Sequence, residues 1–310
     1  MRGPSVTGDM DPRVEEHAEV LVDYGADVQQ GDRVVVSAPP AAADLQAAIW
    51  GKLGERGATP ASRGGIGRAF RRYLNAVDPD VVEPPDHSLA MLEESDAYLQ
   101  IMAGQNVAEL SDVPPAKLQA HSQLNEPILD YLQSDEIRYL LTQHPVPSSA
   151  QKAEMSTEAY ADFVYDAVLR DWAAQREFQE PMVDILDAGH TVRIVAGDET
   201  DLTMSIAGNP GCNDHGELNI PAGEAYTAPV RESLEGTVAF DLPVVRQGRE
   251  IRGACLEFAD GEVVGHAAET NADLLASILE TDEGARYVGE LGIGMNRDID
   301  RFTYNMLFDE

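Results

Sequence analysis

At 310 residues the chain is long enough for two ordinary domains, and a hydrophobic content of 43% is too high for a disordered one. A formal net charge of −33 repels nucleic acid and anionic membrane surfaces, so neither is an expected partner. No apolar run approaches the roughly 18 residues of a membrane span, and the opening MRGPSVTGDM lacks the apolar middle of a secretory signal, so a cytoplasmic location is expected.

Cys212 and Cys255 form neither a metal-type spacing nor a disulfide framework, which fits a reducing compartment. Lysine occurs only at Lys52, Lys117 and Lys152, and nearly all other cations are arginine. The acids are spread along the whole chain. That distribution suits a salt-rich cytoplasm, where screening relieves self-repulsion, better than a single face for a cationic partner.

In chain order, 12–24 reads as a helix with Val14, Ala18, Leu21 and Val22 on one face, ended by Gly25. DRVVVSAP is a buried strand. The segment 44–56 is a helix with Leu45, Ala48, Ile49 and Leu53 inward, stopped by Gly57. SRGGIGRAFRR, 62–72, is a Gly-rich turn before a basic helix. It could cradle a phosphate, but it lacks the GxGxxG spacing and a Walker lysine, and a flexible turn followed by a solvated helix explains it equally. A second strand is expected in DAYLQIMAG. Ser156 is a candidate cap for a helix whose stripe is Tyr160, Phe163, Val164, Ala167, Val168 and Trp172. Pro181 then starts or kinks a further turn ending at Gly189.

Beyond Gly189 the apolar period changes to two. TVRIVAG and DLTMSIAG flank a hairpin, and YTAPV, GTVAFDLPVV and REIRGACLEFADGEVVGHAAE read as further strands. Helices are expected over 271–280 and 283–291. The predicted architecture is α/β: a mainly parallel α/β domain with an interdomain helix over 10–180, then a mixed α+β domain with an antiparallel sheet over 181–310.

The chain has no GxSxG, HExxH or CxxC motif, and its seven histidines never pair at helical or strand spacing. CNDHGE, 212–217, is the one dense mix of metal-ligand types; a polar turn between strands accounts for it as well. Two carboxylates stand out by context. Glu224 follows Pro221 and Gly223, and Glu290 sits late in a helix-like segment before LGIGMN. Spacing alone makes each an ordinary surface acid.

Through NIPAGEAYTAPVRESLEGTVAF, VVRQGREIRGACLEF, TDEGARYVGELGIGMN and RFTYNMLFDE, the chain resembles the thermophilic aminopeptidase family. YGADVQQGDRVVVSAP and MSTEAYADFVYDAVLRDW extend the resemblance to the N-terminal half. It implies a homodimer that removes N-terminal residues from peptides with free N-termini by hydrolysis, using two divalent metal ions: zinc, cobalt or manganese. It matches Glu224 to a metal ligand in the family's N-x-P-x-G-E motif, and Glu290 to a second ligand; which of them would bridge the metals is open. The family's remaining ligands, a histidine and a His-x-Asp pair, and a tyrosine near the reacting centre fall after the segment matching LFDE. They are thus expected beyond Glu310, and this chain, with two ligands, is expected to hold metal weakly and to show little activity. Two rival readings are a non-catalytic peptide-binding or structural paralogue of the same fold, and a nucleotide-using α/β enzyme resting on RGGIG.

Overall fold

The computed structural model describes residues 11–78, 81–106, 108–246 and 249–309; the decapeptide considered above as a secretory signal lies outside them. The chain divides into two compact units, Met1–Arg170 with Gly216–Ala222, and Asp171–His215 with Gly223–Glu310.

The first unit opens with α1 (Pro12–Glu19), where the Asp11 side chain accepts from the Arg13 amide, and continues through one wider turn over Val20–Gly25. Val14, His17, Ala18, Leu21 and Val22 are buried, the face the spacing predicts with His17 added. Next come β1 (Arg33–Ser37) and α2 (Ala43–Arg56). The Leu45, Ala48, Ile49 and Leu53 stripe of α2 is buried, and Gly57 ends the helix at φ +73°. The left-handed turn there suits glycine, which has no Cβ to clash. After β2 (Thr59–Arg63) follow α3 (Gly67–Ala76), α4 (Asp86–Glu93), β3 (Ala97–Met102), α5 (Pro115–Leu124), α6 (Glu126–Leu132), β4 (Arg138–Gln143), α7 (Pro147–Lys152) and α8 (Thr157–Val168). The strands run parallel in the order β2-β1-β3-β4. Both faces of this sheet are covered. Val35 of β1 packs with Leu92, Ile128 and Ile137, while its neighbours Val34 and Val36, on the other side of the pleat, are equally buried.

The second unit begins with α9 (Trp172–Ala188), then the hairpin β5 (Thr191–Ala196) and β6 (Thr200–Ser205), and β7 (Cys212–Asp214). The chain then lends a two-residue strand, β8 (Asn219–Ile220), to the edge of the first unit's sheet beside β4. It returns as β9 (Glu224–Thr227), β10 (Glu235–Ala239), β11 (Val244–Arg246), β12 (Arg249–Ile251), β13 (Cys255–Ala259), β14 (Glu262–Ala267), α10 (Ala272–Leu279), β15 (Leu291–Gly294) and α11 (Met306–Asp309). The main sheet is antiparallel, β14-β13-β10-β6-β5. Two small sheets, β11-β12 and β15-β9-β7, accompany it. Leu202, Met204, Ile206, Leu234, Phe258 and Leu275 form the heart of its core. No helix among the described residues is long and apolar enough to cross a membrane.

Several elements depart from the sequence expectation. β2 is mostly exposed and contains Pro60, so no apolar alternation marks it; main-chain pairing with β1 makes it a strand, and an edge position tolerates the proline. The stripe ending at Trp172 spans two helices. Ser156 does cap α8 by accepting from the Ala159 amide, but the helix stops at Leu169 and Asp171 caps a new one by accepting from Ala174. The expected boundary at 180/181 falls inside α9, which runs through Pro181. The division lies instead at Arg170/Asp171, where the two helices part, and the excursion over 216–222 makes the first unit discontinuous. The expected helix over 283–291 does not form. Asp282 accepts from the Gly284 and Ala285 amides in a local turn, and Leu291–Gly294 joins β9 as a strand, with Leu291 and Ile293 packed on the core. With two glycines, that short stretch gains more from sheet pairing than from a marginal helix.

Candidate metal centre

The site grows from the small sheet β15-β9-β7. β9 pairs with β15 from Thr227↔Leu291 to Glu224↔Gly294, and with β7 from Tyr226↔Cys212 to Glu224↔Asp214. Directly opposed residues of antiparallel strands share a face. One face therefore presents Ala225 and Thr227, both buried, with Leu291 and Ile293. The other carries Glu224 and Tyr226 on the centre strand, Cys212 and Asp214 on one side, and Gly292 and Gly294 on the other.

Gly292 is what makes this second face open. A Cβ at 292 would overlap the Glu224 carboxylate, so the carboxylate lies directly over that glycine, along the strand toward Glu290. Glu290 precedes β15, is exposed, and sits four positions from Gly294 along the ladder, an offset of about 13 Å at strand rise. Glu224 thus opens the centre strand at one end of this face, and Glu290 immediately precedes the neighbouring strand at the other end. Tyr226 lies between them. Burial first, then the hydrogen-bonded Cys212 thiol, push its hydroxyl up to about 12, and the negative charges of Asp214 and Glu290 act the same way.

The backbone that presents Glu224 is held from behind. Gly223 has φ +120°; its carbonyl accepts from Met295 N at 2.6 Å and Asn296 N at 3.1 Å, and its N–H donates to the Asp214 carbonyl at 3.1 Å. A Cβ on it would stand 2.6 Å from the Asn296 Cβ. From α9, the fully buried Gln179 donates its amide Nε2 to Asn213 Oδ1, the Asp214 carbonyl and the Glu224 carbonyl, at 2.7, 2.9 and 3.1 Å. Gln175 in turn donates to Gln179 Oε1 at 2.5 Å. A buried amide satisfied on both ends fixes the strand pair rigidly.

Does this face suit a divalent metal? The donors are hard carboxylate oxygens and the glycine floor leaves them room, which fits a dication. Glu224 and Glu290 by themselves would make only part of a coordination shell: among the described residues, no group of three or more His, Cys, Asp or Glu side chains is placed to hold a metal. Sequence reasoning named Glu224 and Glu290 by resemblance alone, and singled out none of Tyr226, Gly292 and Gln179, which the structure places around Glu224. The alternation CND–EAYT was a legible signal for Tyr226. Cys212 and Asp214, noted within CNDHGE, form a strand where a polar turn was the simpler reading.

Comparison with known proteins gives a consistent picture. The family model described as thermophilic metalloprotease (M29) matches residues 10–310. Aminopeptidase 2 of Geobacillus stearothermophilus is 27% identical, over 96% of this chain and 81% of its own length. Aminopeptidase T of Thermus aquaticus is 26% identical, over 89% and 76%. The solved structure of wild-type AmpT from Thermus thermophilus superposes with a TM-score of 0.83 at 23% identity, covering 96% of this chain and 83% of that one; it shares the fold.

Proposed function

This chain belongs to the thermophilic metalloprotease (M29) family, and from that premise we propose that it is a metal-dependent aminopeptidase, hydrolysing the first peptide bond of peptides with free N-termini. The observation that carries the reading is the family match over 10–310 combined with Glu224, its N-x-P-x-G-E glutamate, set on an open, acidic sheet face with Glu290 just before the adjoining strand. Glu224 and Glu290 would hold the metal, two ions of zinc, cobalt or manganese in the full proposal. When bound, such ions supply a Lewis acid and a hydroxide available near neutral pH.

The chain's own residues do the rest. The Glu224 carboxylate is aimed by the Gln179 and Gly223 bonds that grip its strand. The Tyr226 hydroxyl stays protonated at neutral pH and hydrogen-bonded to Cys212, so it remains a neutral, positioned group beside the carboxylates. The acidic face attracts the substrate's terminal ammonium, which favours free over blocked N-termini. We further propose a homodimer as the working form and a cytoplasmic site of action.

One observation favours a second reading, binding without hydrolysis: no third donor joins the two glutamates among the described residues. Titrating zinc and cobalt by calorimetry into the chain and into Glu224→Gln, alongside leucine p-nitroanilide and its N-acetylated form, separates the two. Metal binding that the substitution abolishes, with release only from the free amine, is the expected result. Retention of peptide without release supports the second reading. Unaltered metal affinity in Glu224→Gln overturns the assignment of Glu224.

A further inference from the structure

The first unit contains a cavity with a chemistry of its own. It measures about 520 Å³ and lies at the carboxyl ends of the parallel strands, with Ser37 and Arg63 at its wall as the last residues of β1 and β2, and Gln100 near the end of β3. In the strand order β2-β1-β3-β4 the chain steps from β1 to β2 on one side and then from β2 across β1 to β3 on the other, so the direction of winding reverses beside β1. Crossovers that diverge in this way open a crevice outside the strand ends, which is where parallel α/β sheets bind ligands.

The composition of the wall is selective. The chain carries 55 acidic residues in 310, yet no Asp or Glu lines this cavity among the described residues. One arginine and one histidine do. The half-buried Arg63 guanidinium has no hydrogen-bond or ion-pair partner among the described residues, whereas Arg33 and Arg71 are paired with Asp96 and Asp112. Two acids on neighbouring segments are engaged elsewhere: Glu109, beside Gly67, accepts from Asn106, and Asp112 holds Arg71. Flat apolar surface faces the polar groups. The Phe70 ring stands edge-on to His121 at 4.8 Å, and Tyr98 stacks on Tyr139. Burial pushes His121 below its usual range, so near neutral pH it offers a neutral hydrogen-bonding ring. The turn that carries Arg63 is built close: a Cβ at Gly64 would overlap the Ala38 carbonyl.

We propose that this cavity binds a small organic anion with a flat ring, its carboxylate or phosphate on Arg63 and its ring against Phe70 and Tyr98. An unpaired guanidinium in so acidic a chain is a forked anion receptor held away from competing carboxylates. With no wall acid to pair with an ammonium, amines and amino acids are disfavoured relative to plain ring anions. The SRGGIGRAFRR segment, ambiguous as sequence, thereby gains a role through its first arginine.

Calorimetry on the full chain in molar KCl, with phenyl phosphate, benzoate, inorganic phosphate and benzylamine, tests the proposal. Saturable binding of phenyl phosphate or benzoate is expected, and which of the two binds identifies the anionic group. Inorganic phosphate should bind more weakly and benzylamine not at all. Arg63→Gln should lower affinity about tenfold or more, and Ser122→Trp, on exposed α5 surface, should block the cavity while circular dichroism stays unchanged. No saturable binding of either ring anion, equal binding by Arg63→Gln, or equal binding of benzylamine overturns it.

Discussion

His17 shows how one side chain can tie a motif into a fold. It is fully buried on α1, and its Nε2 meets Thr142 Oγ1 at 2.8 Å; that hydroxyl donates to the Ile220 carbonyl at 2.7 Å. Because the hydroxyl proton is committed to Ile220, the imidazole donates from Nε2, and its buried Nδ1 has no hydrogen-bond partner among the described residues. Burial, reinforced by nearby His144, lowers His17 to about 3. The folded state thus resists a proton that the unfolded chain accepts below about pH 6.5. This contribution to stability is fully present above pH 6.5 and is lost as pH falls toward 3, at up to about 1.4 kcal/mol per pH unit. Urea unfolding at pH 7 and pH 5 should show that loss, and His17→Gln should flatten the slope; an unchanged slope in the variant removes His17 as its source. At Gly292 the forecast concerns function. Gly292→Ala places a methyl where the Glu224 carboxylate lies, and a flexible side-chain tip can swing aside. Zinc affinity should fall at least about tenfold, with the unfolding midpoint nearly unchanged.

Among the elements, the three-stranded sheet depends on α9 more than its small size suggests. Gln179 answers one side-chain oxygen and two main-chain carbonyls on β7 and β9. Gln179→Leu removes all three bonds, leaving the Asp214 carbonyl its bond from the Gly223 N–H, and should destabilise the chain by about 2–3 kcal/mol, read by denaturant titration. Gly223→Ala should cost about as much for a different reason: φ +120° is hostile to any Cβ, and Asn296 occupies its space. Either variant retaining parental stability would show that the strand pair is gripped elsewhere. The failed helix over 283–291 belongs to this scale too. Its local pattern was helical enough to mislead, and only the open edge of β9 offered a better partner for Leu291–Gly294.

For the whole molecule the dominant quantity is charge. Many arginines are spent on exposed carboxylate pairs such as Arg193–Asp201 and Arg249–Asp273, which leaves a large uncompensated excess of acid. Exposed pairs contribute little each, while the summed repulsion acts on the entire folded chain and is screened by salt. The unfolding midpoint should therefore rise steadily from low to molar KCl. A flat or falling midpoint would argue against a salt-adapted surface.

Local pattern was enough for α1, α2, β1, β3, the β5-β6 hairpin, β10 and β12 to β14, because each carries its own apolar period and its own stop signal, as Gly57 does for α2, whereas YTAPV overlapped only half of β9 and GTVAFDLPVV ran β10 and β11 together. Resemblance added Glu224 and Glu290, which no spacing rule would have chosen. What the line of residues left undecided was everything set by a neighbour distant in the chain: that Thr59–Arg63 is a strand, that Asp171 starts a new helix, that 216–222 belongs to the first unit, and that Gly292 is the floor beneath Glu224. Backbone hydrogen bonds between strands and the space beside a glycine exist only after the chain has closed on itself, so they leave no periodic trace in the sequence that encodes them.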